Sequence, residues 1–273
     1  MTWLEPLAAR LGTVTGVVAV SLGGSRARGT ARPDSDWDLG VYYEPPLDVA
    51  ALRSVAGDVA DRDAPATVTA PGEWGRWVDG GAWLTVGGRR VDLVYREYDR
   101  VAAVWEDCRR GRYELGFQVG HPLGYYSHTY AGEVATCRIL HDPGGLLGAL
   151  RTETEHYPAP LGDALVAGLW EAGFVIDNAA KVAPAGDGAY VSGCLFRAVG
   201  VLAHALHGHA RRWLVGEKGM LAASSALANA PAQFATRAGA LLGAAGLGPA
   251  ELEATLAAAA DLVAETREAV ARE

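Results

Sequence analysis

The chain has 273 residues, half of them hydrophobic, with a net charge of −8 and a pI near 5.4. This length allows one large domain or two modest ones, and the acidic balance argues against a broad nucleic-acid-binding surface, which needs an excess of basic residues. The three cysteines are widely spaced, and we find no signal segment and no run of 18 uncharged apolar residues. These features predict a cytoplasmic protein that does not associate with membranes.

The first half of the chain predicts strands mixed with helices. Short apolar runs indicate strands, and apolar residues at intervals of four indicate helices. Gly87-Gly88 lies between two alternating runs and predicts a hairpin whose second arm carries Asp92. The predicted strands span 17–22, 37–43, 82–86 and 90–95. The predicted helices span 2–12, 47–60, 98–112 and 129–139, with a short helix after Ser25.

The second half predicts helices alone. The segment Asp142-Pro143-Gly144-Gly145 is the strongest breaker of regular structure in the chain, and strand patterns fade after it. The sequence therefore predicts an α+β domain with a mixed sheet over residues 1–143, followed by an all-α helical bundle over residues 144–273. The predicted helices of this second domain span 146–155, 161–181, 189–209 and 250–272.

Two acidic residues stand one residue apart at the start of the second predicted strand. Residues i and i+2 of a strand share a face, so Asp36 and Asp38 are expected side by side, with Trp37 and Leu39 on the opposite face. Two close carboxylates repel each other unless a cation lies between them, and Mg²⁺ takes such oxygen ligands while leaving positions for phosphates. Asp92, on a later strand, provides a third carboxylate for a two-ion site.

The turn that precedes this strand suits a phosphate chain. Gly23 and Gly24 carry no Cβ, so the backbone can approach a triphosphate closely. Ser25 can donate its hydroxyl and its backbone N–H to phosphate oxygens, and the guanidinium of Arg26 suits the same group. Turn, acidic pair and third aspartate together favour a site for a phosphate and divalent metals.

The pattern Gly24-Ser25, ten residues, Asp36-Trp37-Asp38-Leu39 and a later strand aspartate resembles the nucleotidyltransferase superfamily typified by DNA polymerase β. The resemblance covers roughly residues 14–97 and is strongest to the branch that modifies aminoglycoside and lincosamide antibiotics. It implies that the serine turn holds the nucleotide phosphates and that Asp36 and Asp38 bind two Mg²⁺ ions. It also implies that Asp92 is a metal ligand or the general base.

The activity implied by this resemblance is Mg²⁺-dependent transfer of a nucleoside monophosphate, AMP from ATP in the first instance, to a hydroxyl of a small acceptor. Pyrophosphate is released, and an antibiotic is the acceptor that the resemblance suggests. An acidic protein is consistent with a cationic acceptor. The identity of the acceptor, the preferred nucleotide and the oligomeric state stay open.

Two alternatives remain. The chain could modify a tRNA end or a protein, as toxin-like members do, although a tRNA acceptor requires a basic stripe. Arg89-Arg90 and Arg109-Arg110 with Arg112 are the candidates for such a stripe. The chain could instead be a non-catalytic nucleotide-binding protein, but the three intact aspartates argue against that interpretation.

Other residues have open roles. Lys218 follows a predicted long helix and either reaches the β- or γ-phosphate or is a helix-end lysine beside a glutamate. His204 and His207 could form half of a zinc site, but no partner with matching spacing lies nearby, so we favour a structural role. Arg96 either offsets charge near the metals or lies at an exposed strand end, and we favour the exposed end. The candidates for the general base are Asp92, Glu73, Glu97, Glu133 and Glu171.

Overall fold

The computed structural model describes residues 3–271 and divides them into two compact units. The first unit runs to Asp107 and resumes over Tyr113–His156, and the second comprises Cys108–Arg112 and the chain from Tyr157 onward. The division after residue 143 stays a prediction; the contacts of the chain group residues 144–156 with the first unit.

A six-stranded mixed sheet forms the centre of the first unit. Its strand order is β3-β4-β5-β2-β1-β8; β2 and β5 run parallel and the other neighbours antiparallel. The strands are β1 Val17–Leu22, β2 Trp37–Tyr43, β3 Thr67–Val68, β4 Gly81–Val86, β5 Arg89–Glu97, β6 Leu115–Gly116, β7 Tyr125–Tyr126 and β8 Arg138–His141. Strands β6 and β7 pair with each other in a separate small sheet. The hairpin predicted at Gly87-Gly88 joins β4 to β5, and both glycines have positive φ, as its turn requires.

The helices account for most of the remaining regular structure. They are α1 Leu4–Leu11, α2 Gly24–Ala27, α3 Val49–Val59, α4 Tyr98–Arg109, α5 Thr129–Thr136, α6 Leu146–Thr154, α7 Ala159–Ala167, α8 Trp170–Val182, α9 Gly188–His209, α10 Met220–Ser225, α11 Phe234–Gly243 and α12 Pro249–Ala271. Residues 2 and 272, which belong to the predicted outer helices, lie outside the described part of the chain. An α+β first unit and a helical second unit confirm the predicted fold class.

One face of the large sheet lies in the hydrophobic core. Leu39 of β2 and Leu93 of β5 are fully buried there, in one cluster with Leu4 of α1 and Leu52 of α3. Each such leucine contributes about 1.5–3 kcal/mol by leaving water. Because side chains alternate along a strand, the residues that precede and follow Leu39 and Leu93 belong to the opposite face of the sheet.

The far end of that opposite face holds a buried ion pair. Arg96 of β5 is 5% exposed, and its guanidinium makes two hydrogen bonds of 2.8 Å to the carboxylate of Glu133 on α5. The ring of Tyr130 lies 5.1 Å from the guanidinium carbon. The prediction of an exposed Arg96 is wrong, because α5 brings a carboxylate and an aromatic ring onto this end of the strand.

The second unit is organised around α9, which contacts α7, α8, α10, α11 and α12. The single helix predicted over 161–181 is two helices, α7 and α8, which are separated at Gly168 and Leu169. Helices α10 and α11 were not predicted from the sequence. Helices of six and ten residues are marginal by themselves and form here through packing, which a local pattern does not reveal.

Two stretches of the second unit are long and apolar enough to cross a membrane: residues 159–185 and helix α9. Both contain charged side chains, so neither is an uncharged run. In the most apolar 18 residues of α9, about two thirds are buried. In the most apolar 18 residues of 159–185, about one third are buried. The core helix of a soluble protein meets the same criterion, so the absence of membrane association stays a prediction.

Candidate active site

The Gly23-Gly24-Ser25 turn closes directly onto Asp38. The backbone N–H of Gly23 donates to the carbonyl oxygen of Asp38 at 2.8 Å. Gly24 has φ +61°, and a Cβ at that position would lie 1.7 Å from the Asp38 carboxylate oxygen Oδ2. The carboxylate therefore occupies the space that a side chain would need, and only glycine combines this backbone conformation with this contact.

Asp38 and Asp92 are direct neighbours on two parallel strands. The register of β2 and β5 pairs Trp37 with Val91, Asp38 with Asp92 and Leu39 with Leu93. Adjacent strands lie about 4.8 Å apart, and paired residues project to the same face. Two carboxylates thus stand side by side at the edge of the face that is turned away from the core, beside the turn.

Asp36 is paired with an arginine, Arg90, that sequence reasoning did not assign to the site. The Arg90 Nε lies 2.5 Å from Oδ1 of Asp36, and a second guanidinium nitrogen donates to the Asp34 carbonyl at 2.9 Å. Arg90 stands two residues before Asp92, so it shares the carboxylate face. The spacing of Arg90 and Asp92 could have indicated this arginine from the sequence. Its proximity to Asp36 could be known only from the parallel pairing of β2 and β5.

Arg26 binds the loop that leads into β2. Its guanidinium donates to the carbonyl oxygens of Ser35 and Asp36 and lies 4.1 Å from the ring centre of Trp37. These contacts hold the segment that delivers Asp36. Its predicted contact with a triphosphate stays a prediction, as does that of the partly buried Ser25.

The residues that follow Asp38 on the same face of β2, Gly40 and Tyr42, are uncharged. Tyr42 shares the face of Asp38 and Gly40 along β2, and burial raises its pKa well above the usual range, so the phenol stays neutral. A Cβ on Gly40 would come within 3.0 Å of the Ser21 hydroxyl and of the Tyr42 ring.

The other candidate residues differ in their exposure and in their partners. Glu133 is bound to Arg96, and Glu171 of the second unit is bound to Arg197 at 2.5 and 2.7 Å, so both carboxylates already have cationic partners. Glu73 is exposed. Lys218 is an exposed residue of the second unit, and its role at the phosphates stays a prediction.

A metal site is implied by the chemistry of the donors. Within residues 3–271, no three or more His, Cys, Asp and Glu side chains are gathered closely enough to hold a metal ion, and this applies to the acidic trio and to the histidines of α9 alike. Asp38 and Asp92 nevertheless offer paired hard oxygen donors beside a glycine turn, which fits Mg²⁺. Arg90 lies where a cation would bind Asp36.

One comparison, with models of known protein families, agrees with this geometry. Residues 5–111 match the family model of the nucleotidyltransferase domain, a range that includes the turn and all three aspartates. The match covers less than half of the chain, and it supports the prediction of a nucleotidyltransferase. Among solved structures, the chain is similar to a nucleotidyltransferase-like protein from Exiguobacterium sibiricum 255-15, with 13% identity and a TM-score of 0.38, over 96% of this chain and 74% of that one. No curated protein matches.

Proposed function

We propose that this protein transfers a nucleoside monophosphate, AMP from ATP in the simplest case, to a hydroxyl of a small acceptor and releases pyrophosphate. The observation that supports this most is the register of β2 and β5. It places Asp38 opposite Asp92, while the Gly23-Gly24 turn closes on the same Asp38 carboxylate. A phosphate cradle and a pair of hard oxygen ligands at one sheet edge are the two parts that phosphoryl transfer requires.

Asp38 and Asp92 are the residues that would hold Mg²⁺. Asp36 would join them if the guanidinium of Arg90 moves aside. Bound Mg²⁺ would neutralise phosphate charge and lower the pKa of the acceptor hydroxyl. Two ions are proposed because three carboxylates could hold one ion for the attacking oxygen and a second ion for the leaving oxygen.

In the proposed step the acceptor oxygen attacks the α-phosphorus of the nucleotide. A new oxygen–phosphorus bond forms, the bond from the α-phosphorus to the bridging oxygen breaks, and that oxygen leaves with pyrophosphate. Gly24 and Ser25 of the turn would bind the departing phosphates through backbone N–H groups and a hydroxyl. The proton of the acceptor hydroxyl would pass to Asp92 if that carboxylate is not a metal ligand; among the other candidate bases, Glu133 and Glu171 are engaged in ion pairs.

The acceptor class follows from the resemblance and from charge. An antibiotic with amino groups would meet a protein of net charge −8, which favours the approach of a cation. A role in antibiotic resistance and a location in the cytoplasm belong to the same proposal. Nucleotide and small acceptor are then the partners, and neither nucleic acid nor membrane is required.

The test is to incubate the protein with α-labelled ATP, Mg²⁺ and separate pools of antibiotics, tRNA and cell lysate, and to follow the label. Asp38→Asn should reduce transfer by about 100-fold or more, since it removes a charge from the metal ligands. Asp34→Asn is the matched control, because Asp34 forms an exposed ion pair with Arg32 and should be neutral. Transfer that survives in Asp38→Asn refutes the site, and label on tRNA or protein refutes the small acceptor.

A further inference from the structure

A stacked pair of tryptophans lies beside the carboxylates. The antiparallel register of β4 and β5 pairs Trp83 with Asp92, so the indole shares the face of the aspartates. Trp83 is 50% exposed, and its ring stacks on Trp74 with centroids 4.5 Å apart and planes 27° from parallel. A large aromatic ring that is half exposed next to a candidate catalytic residue offers a flat surface to a ligand.

Trp74, the less exposed ring of the pair, is fixed by its packing and by backbone hydrogen bonds. Trp74 lies over Gly81, where a Cβ would come within 2.8 Å of the indole, so the absent side chain makes room for the ring. The backbone N–H of Trp74 donates to the Asp79 carbonyl at 3.2 Å, and its carbonyl accepts from the buried Gln118 amide at 2.9 Å. Trp74 is therefore a fixed support against which Trp83 rests.

The order of residues across the sheet indicates which of the two substrates this tryptophan pair would contact. Successive strands β4, β5, β2 and β1 present Trp83, Asp92, Asp38 and the Gly23 turn in that order. If the turn binds the departing pyrophosphate, in-line displacement brings the acceptor from the opposite side, past Asp92. The bond from the α-phosphorus to the nucleoside points at a steep angle to that line. Trp83 is therefore placed for the acceptor and not for the nucleoside.

We propose that Trp83, supported by Trp74, is the acceptor subsite and receives a hydroxyl-bearing saturated ring with a cationic amino group, such as an aminosugar. The face of an indole carries partial negative charge and attracts ammonium groups and the positive C–H edges of a ring. This inference rests on the proposed function for the direction of approach, but the binding that it describes needs no turnover.

The experiment measures binding by saturation-transfer NMR with Mg²⁺ and a non-hydrolysable ATP analogue present. The probe is methyl glucosaminide, and its open-chain counterpart glucosaminitol keeps the amino group and the hydroxyls but lacks the ring. Trp83→Leu keeps apolar bulk and should weaken glucosaminide binding by about 5-fold or more, whereas Trp83→Phe keeps a flat ring and should weaken it by about 2-fold or less. Trp170→Leu is the control for the loss of an exposed tryptophan, since Trp170 is 64% exposed.

The expected result is ring-selective binding that depends on Trp83 and leaves the affinity for the ATP analogue unchanged in every variant. The inference is overturned if wild type does not bind glucosaminide, if Trp83→Leu binds it as wild type does, or if glucosaminitol binds equally well. It is also overturned if Trp83→Leu loses the ATP analogue, which would make the indole a nucleobase platform. Ring binding without label transfer from ATP would instead refute the proposed function and leave the subsite standing.

Discussion

Gly24→Ala tests the contact on which the site depends. The new methyl group would lie 1.7 Å from Oδ2 of Asp38, whereas ordinary contacts begin at 3.4 Å, so the carboxylate must retreat by about 1.7 Å or the turn must open. Alanine at φ +61° also costs about 1–2 kcal/mol of folding free energy, because left-handed backbone crowds a Cβ. A displacement of this size at a metal ligand reduces catalysis by about 100-fold.

Gly29→Ala separates the two effects. Gly29 has φ +72° in the same loop region, and a Cβ there would meet no atom within 4 Å. The control variant therefore carries the backbone strain without touching Asp38. In urea titrations Gly29→Ala should lose about 1–2 kcal/mol of unfolding free energy, and Gly24→Ala should lose at least as much.

The assays are Mn²⁺ binding, followed by electron paramagnetic resonance, and label transfer from α-labelled ATP. Gly24→Ala should bind Mn²⁺ at least about 10-fold more weakly than Gly29→Ala and should lose transfer, since only it moves a ligand. Equal Mn²⁺ affinities in the two variants would show that the position of the Asp38 carboxylate does not matter, and the reasoning would fail.

Three further predictions address charges in the fold. Arg90→Gln removes the cation beside Asp36 and should tighten Mn²⁺ binding by about 3-fold, whereas Arg90→Lys keeps the cation and should not. If Arg90→Gln also leaves the Mn²⁺ affinity unchanged, Arg90 does not compete with the metal for Asp36. Glu133→Ala leaves the buried Arg96 unpaired and should cost about 3 kcal/mol or more in urea unfolding, much of it recovered when Arg96→Met is added; a loss under 1 kcal/mol would contradict the pairing. Burial lowers the pKa of His207 from 6.5 to about 4, so the unfolded chain takes up the proton first and stability falls as the pH drops from 6.5 towards 4, by about 3 kcal/mol. His207→Phe should remove that part of the pH dependence of unfolding, and an unaltered profile would contradict it.

Local patterns were sufficient for the elements that build the site. The alternation around Asp36-Trp37-Asp38-Leu39 indicated strand β2, in which Asp38 lies, since alternation is a property of each strand by itself. Gly87-Gly88 predicted the hairpin that brings Asp92 into the sheet. The same local reasoning failed for Arg96, because its burial depends on α5, which lies more than thirty residues further along the chain.

The amino-acid sequence by itself determined which residues share a strand face, where the turn lies and that the chain changes from strands to helices. Tertiary structure decided that β2 pairs with β5 in parallel, that Asp38 therefore meets Asp92, and that Arg90 and Trp83 border the same acids. The physical reason is range. Side-chain alternation and glycine conformation act over a few residues, whereas strand pairing joins segments more than fifty residues apart through backbone hydrogen bonds that every residue can make.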